Sequence, residues 1–387
     1  MKVPFGDLKL HYQAYKQQLD EATSRVLASG YYILGPELER FEKEFAEWLG
    51  SGHVVGCASG TEAIYLPLAA LGVKAGDEVL VVAHTAVPTI SAISMTGATP
   101  VFVDIDPDTY VMDPQDLERK ITPKSKVIIP VHIYGQMADM DAIGKIAAKH
   151  KLPIIEDCAQ STGGSYRGQQ SGTIGDFSCW SFYPSKNLGA FGDGGASWAK
   201  TKENAHKLSM LRNYGQSKRY HHDIVGINSR LDEIQAAILG AQLPYVREWN
   251  LRRREIAQRY SEGLKGIVQT PVESADSVHV YHLYVIQTDY RDELQTYLAD
   301  RGVGTLIHYP IPAHRQEAYK FLGYPAGSLP NTEKIVKRIL SLPLYPELED
   351  AQIDIVIEAI KDFYGSKPEA KENEQCQTLV PQSQATK

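Results

Sequence analysis

From residue 53 onward, short apolar runs alternate with stretches whose apolar positions recur at helical spacing. The runs at 53–59, 78–82, 100–104, 126–131 and 152–156 predict strands, and the segments 61–71, 90–96, 114–120 and 140–150 predict helices between them. Strands that are apolar almost throughout, each followed by a helix, predict a mostly parallel sheet covered on both faces. Two further strands, 177–182 and 195–198, follow without a helix between them, so part of the sheet is expected to be mixed. A helix-rich connection over 231–264 leads into a smaller α+β segment, with strands at 282–287 and 304–308 around a helix at 290–300. The expected fold class is α/β, with a large domain over 1–244 and a smaller α+β C-terminal domain over 245–364. Residues 365–387, rich in Lys, Glu, Gln, Ser and Pro, are expected to form a disordered tail.

Composition narrows the function. The 387 residues are 43% hydrophobic and 22% charged, as in a soluble protein with ample core. A formal net charge of −7 offers no broad basic surface, which argues against nucleic acid as a partner. The one basic cluster, Arg252-Arg253-Arg254, falls on a helical stretch and reads as a solvated or subunit-facing side. Cys57, Cys158, Cys179 and Cys376 show no metal-ligand spacing, and no His-Asp-Glu clustering suggests a metal. Three of these cysteines lie in apolar strand-like segments. With no signal peptide in view, they point to the reducing cytoplasm. No apolar run is long enough to span a membrane.

Four segments carry chemistry. Ala58-Ser59-Gly60-Thr61-Glu62-Ala63 joins a strand to a helix. Such a small-residue turn presents unpaired N–H groups to a phosphate, although Ser59 or Thr61 could equally act as a plain helix cap. No Walker lysine and no G-x-G-x-x-G fingerprint accompany it, so a monophosphate suits it better than ATP or NAD. Asp157 and Gln160 follow the strand 152–156 at its carboxyl end, where open α/β sheets bind ligands. Alone, that Asp could also be a helix N-cap or a metal ligand. Ser181-Phe182-Tyr183-Pro184-Ser185-Lys186-Asn187 comes after the next strand, with Pro184 keeping Lys186 on a loop. Gly192, Gly194 and Gly195 then indicate backbone packed against a ligand or strand. In Asn228-Ser229-Arg230-Leu231-Asp232-Glu233, the acids open a helix and Asn228 could be a turn residue. A lysine on an ordered loop, with an acid and a glutamine at a strand end, is what pyridoxal 5'-phosphate (PLP) requires. The lysine anchors the cofactor covalently and the acid keeps the pyridine nitrogen protonated.

Together with Gly30-Tyr31-Tyr32-Ile33-Leu34-Gly35-Pro36 and Gly175-Asp176, these segments resemble the DegT group of PLP-dependent sugar-nucleotide aminotransferases of fold type I, over about residues 4–364. The resemblance implies that Lys186 is the Schiff-base lysine and proton shuttle, that Asp157 pairs with the pyridinium and that Gln160 bonds the phenolic oxygen. Gly60, Thr61 and Ser181 would hold the phosphate. Asn228 would reach it from the neighbouring subunit of a homodimer with shared active sites. Residues 182–190, Leu211-Arg212-Asn213-Tyr214-Gly215 and Ile307-His308-Tyr309-Pro310 are similar to enzymes that aminate C3 of dTDP-linked 3-keto-6-deoxyhexoses, here with L-glutamate as donor. The alternatives are a C4 aminotransferase acting on a 4-keto sugar and a PLP-binding regulatory protein without turnover. Lys186 itself argues against a dehydratase. On this reading Tyr183, Arg230, His308 and Tyr309 meet the substrates, with Arg230 a candidate for the glutamate α-carboxylate. The loop Lys218-Arg219-Tyr220-His221-His222 could meet the nucleotide diphosphate. In one departure, Ala86 stands where many members carry the aromatic that stacks on the cofactor ring. Either His84 supplies that contact or the ring is covered differently.

Overall fold

A computed structural model describes residues 2–367, so the tail expected over 365–387 lies outside the described residues from 368 on. The strands Thr99–Val103, Glu78–Val82 and Ser125–Ile129 pair in parallel, in that order across the sheet. Ile155–Asp157, Phe177–Ser181, Gly195–Ala199 and His53–Cys57 form a second set. Parallel bridges at Ile128–Ile154 and Val131–Asp157 join the two sets into one continuous sheet. Of these strands, Gly195–Ala199 runs antiparallel to both its neighbours, which is the mixed part the sequence pattern predicts.

The strand sequences follow from where the strands lie. Val79, Leu80 and Val81 are all fully buried, so neither face of Glu78–Val82 is left for polar residues. Helix Gly60–Ala70 packs across Phe177–Ser181 and Gly195–Ala199, with helices Val87–Met95 and Lys202–Leu211 beside it. This topology brings several turns to one edge of the sheet. Asp157 and Ser181 end their strands, and Ser59 and Thr85 lie just beyond theirs, so their side chains converge at the carboxyl ends.

A second core gathers Ile256, Tyr260, Tyr284, Leu298, Ile353 and Ile360. Two contributions cross the division expected at residue 244. Val3 is buried in this second core, whereas Leu283, Val285, Ala313 and Ile339 belong to the first. Two expectations are corrected here. Residues 304–308 form no strand, because the chain divides its pairing: Gly304 donates to the Val3 carbonyl (2.8 Å), while Leu306 bridges Ser341. The basic triplet on helix Val246–Gly263 is not a simply solvated side. Arg252 bonds Asp350 (2.7 Å), Arg254 bonds Glu273 (2.6 Å) and Arg253 is only 6% exposed.

Candidate active site

A cavity of about 250 Å³ opens at this sheet edge, lined by Gly60, Thr61, Asp157, Gln160, Ser181 and Lys186. The sequence spreads these residues over more than a hundred positions, and the parallel topology gathers them. Helix Gly60–Ala70 points its first turn into the cavity. The Ser59 hydroxyl accepts from the Glu62 amide (3.3 Å), while the Gly60 and Thr61 amides have no acceptor among the described residues. They are open donors at the positive end of the helix dipole. Glycine is required at position 60 by contact: a Cβ there would lie 2.6 Å from Ser181 Cβ and 2.9 Å from its Oγ. The same closeness recurs at Gly195, whose Cβ would fall 2.4 Å from the Ser59 carbonyl oxygen.

At the opposite end stands Asp157, 3% exposed. Its Oδ2 accepts from Thr89 Oγ1 (2.8 Å) and its Oδ1 from the Ala159 amide (3.1 Å). Burial nevertheless holds its carboxyl above the ordinary range, because desolvation outweighs these hydrogen bonds. A cation at this spot would reverse that balance. Gln160 is fixed on both sides: its oxygen accepts from the Tyr134 amide (2.7 Å) and its nitrogen donates to Tyr309 Oη (3.2 Å). One N–H of the amide is left for a ligand.

Lys186 sits where two cavities meet, this one and a second of about 360 Å³ on the side of the second core. Burial pushes its ammonium down to about 8, against the pull of Asp157. The loop is held from both ends. Lys186 N donates to Tyr183 O (2.8 Å) and Ala190 N to Phe182 O (2.7 Å). Asn187 is buried and donates to Asn250 Oδ1 (2.8 Å) and Val280 O (3.2 Å). The site thus offers open amides and a hydroxyl at one end, a buried acid needing a cation at the other, and an amine between them. These are the donors and acceptors that PLP demands, and the residues fit it.

Residues 13–361 match the DegT/DnrJ/EryC1/StrS aminotransferase family. The chain belongs to this family. It is 46% identical to the dTDP-3-amino-3,4,6-trideoxy-alpha-D-glucose transaminase of Streptomyces venezuelae, covering 94% of this chain and 96% of that protein. It is 43% identical to a pleiotropic regulatory protein of Geobacillus stearothermophilus, over 94% of this chain and 99% of the other. The crystal structure of S. venezuelae DesV superposes with a TM-score of 0.93 at 46% identity, covering 95% of this chain and 99% of that one. The fold is therefore that of the fold type I aminotransferases, and this aminotransferase uses PLP.

Not every residue singled out from the sequence reaches the cofactor cavity. His84 does not line it; Nε2 is bonded to Tyr134 Oη (2.7 Å), and the ring stands edge-on to that of Tyr134. Ala86, Pro88 and Val131 line the cavity instead. Asn228 and Arg230 open on a different concavity, shared with Ile33, Ala58 and Asp193, and Asp193 also lines the cofactor cavity. Tyr183 lines the cofactor cavity and is exposed, whereas His308 lines the second cavity, with Nδ1 bonded to Ser341 Oγ (2.9 Å). Tyr309 is reached through Gln160. Residues 216–222 form a small hairpin, with Tyr220 77% exposed.

The fold also assembles a cluster that the sequence does not announce. Ligand-type atoms of His132, Glu156 and Cys158 lie within 4.8 Å of one another. Glu156 already accepts from His132 (3.0 Å) and from the Gly172 (3.1 Å), Ile174 (2.8 Å) and Gly175 (2.7 Å) amides. His132 Nδ1 accepts from the Ala138 amide (3.2 Å), leaving neither nitrogen free for an ion. The group pins the loop after Asp157. Thr89 and Asn187 are the positioning residues that sequence reasoning passed over. Asn187 was in plain sight beside the lysine, but its partners are not local.

Proposed function

We propose that the chain transfers the amino group of L-glutamate to C3 of a dTDP-linked 3-keto-6-deoxyhexose, acting in the cytoplasm as a homodimer with shared active sites. The observation that carries this reading is Lys186, an amine biased toward its neutral form at the junction of the Asp157 cavity and a second cavity. The C3 and dTDP assignments draw on the S. venezuelae relative, whose name states both. The absence, among the described residues, of a helix long and apolar enough to cross a membrane agrees with a soluble site of action.

When bound, PLP supplies an electron sink that acidifies the α-proton of an attached amine. The protein supplies the rest. Gly60, Thr61 and Ser181 would hold the phosphate, with Asn228 of the second subunit closing over it. Asp157 would keep the proton on the pyridine nitrogen, and Gln160 would donate to the phenolic oxygen. Lys186 Nζ would be the base that takes the proton from the donor's α-carbon and the acid that supplies one to the sugar carbon that receives the amine. Burial favours this role, since it weakens the hold of Nζ on its proton and so enlarges the fraction able to accept one.

The test is the visible spectrum of the holoenzyme. L-Glutamate should discharge the band of the lysine-bound cofactor, and a dTDP-3-keto sugar, but not its 4-keto isomer, should restore it. Restoration by the 4-keto compound alone would move the reaction to C4.

A further inference from the structure

The second cavity at Lys186 has a wall that the reaction as described does not use. Arg253 lines it, 6% exposed, from helix Val246–Gly263. Its Nη1 is spent on three carbonyls, those of Leu344 (3.1 Å), Tyr281 (3.3 Å) and His282 (3.4 Å). Its Nε is buried with no partner, and Nη2 donates to no acceptor among the described residues. Nε and Nη2 form the side-on edge of the guanidinium, the edge that grips a carboxylate through two parallel hydrogen bonds. The two acids nearby are engaged elsewhere. Glu347 is bonded to His11 Nδ1 (2.7 Å), and Asp7 accepts from the Lys9 and Leu10 amides (both 3.0 Å). Burial without a bonded counter-ion pushes the Arg253 guanidinium down to about 10. A buried cation with its fork empty is costly unless an anion completes it.

We propose that Arg253 receives a carboxylate of the amino donor, seated in the second cavity with the donor nitrogen toward Lys186. This rests on the aminotransferase reading, because transamination requires an amino donor to replace Lys186 on the cofactor. The volume, about 360 Å³, suits a small amino acid and lies at the low end of ligand sites. Arg230, the candidate from sequence, opens on another concavity of its own chain.

The probe is glutarate, a dicarboxylate with no amine to transfer, titrated calorimetrically into the holoenzyme. Arg253→Lys keeps the charge but removes the fork. Leu8→Trp fills the cavity from an exposed lining position and leaves in place the residues whose carbonyls bond Arg253. Wild type should bind glutarate, and both variants should bind it at least tenfold more weakly with the cofactor band unchanged. Unaltered affinity in both variants, or tighter binding of inorganic phosphate than of glutarate, would overturn the assignment. Those outcomes leave the aminotransferase reading standing if glutamate still discharges the cofactor band of the wild type. A wild type with no band would instead remove that reading, while glutarate binding to the apoprotein would still judge Arg253.

Discussion

At the scale of single residues, the site depends on burial shifting two groups toward their uncharged forms. Asp157 is raised and Lys186 lowered, each by desolvation, with only partial relief from the other. For Lys186 the sign is direct. A base held at about 8, below the ordinary 10.5, is neutral above about pH 8 and protonated below it. About one amine in ten is then neutral at pH 7, several hundredfold more than for an unperturbed lysine. Capture of PLP by the apoprotein should accordingly speed up nearly tenfold per pH unit and level off near pH 8, read by stopped-flow absorbance. A rise that continues toward pH 10 would show that the amine is not perturbed. Lys186→Ala should lose the band altogether and keep the wild-type circular dichroism spectrum.

At the scale of elements, the phosphate end of the cavity is a contact between a helix start and a strand end. Gly60→Ala would drive a methyl group into Ser181, 2.6 Å from its Cβ. The expected cost is about 1–3 kcal/mol of stability by urea unfolding, as for overpacking elsewhere. PLP affinity should fall as well, by at least tenfold in a fluorescence titration, because the Ser181 hydroxyl and the helix N-terminus must move apart. A variant with wild-type affinity would show that the first turn does not hold the phosphate. How much of this was legible depended on range. The strand Glu78–Val82 and the helices Pro114–Lys120 and Met140–His150 have the limits that the sequence predicts, since their burial pattern is written in their own residues. The motif turns were legible too, because glycine, proline and acid spacing are local signals. Contacts made across the chain were not. Glu233 accepts from the Gly35 (2.8 Å), Glu37 (2.9 Å) and Leu38 (3.0 Å) amides, so an acid in the first turn of its own helix, as the sequence predicts, also caps helix Pro36–Leu49. Arg253 looked like part of a solvated face, because nothing in an arginine triplet says which member meets three distant carbonyls.

At the scale of the whole molecule, the remaining question is which chain completes the phosphate site. Asn228 is exposed beside a concavity that adjoins the cofactor cavity at Asp193. The chain next to Ile33, on the same concavity, exposes Leu27 (56%), Tyr31 (65%) and Tyr32 (49%). Contiguous exposed apolar side chains are where a second copy would find surface to bury. If a second copy covers it in a two-fold dimer, each Asn228 serves the partner's cofactor, and the defects of two variants should compensate. Asn228→Ala lacks the trans contribution and Lys186→Ala lacks the amine. A mixed dimer then holds one site with both defects and one site with none. Subunits denatured together and refolded at equal amounts should regain about a quarter of wild-type activity, since half the dimers are mixed and each carries one whole site. Either variant refolded alone should stay near its own low level. If Asn228 acted on the cofactor of its own chain, every site in the mixture would carry one defect, and mixing would restore nothing.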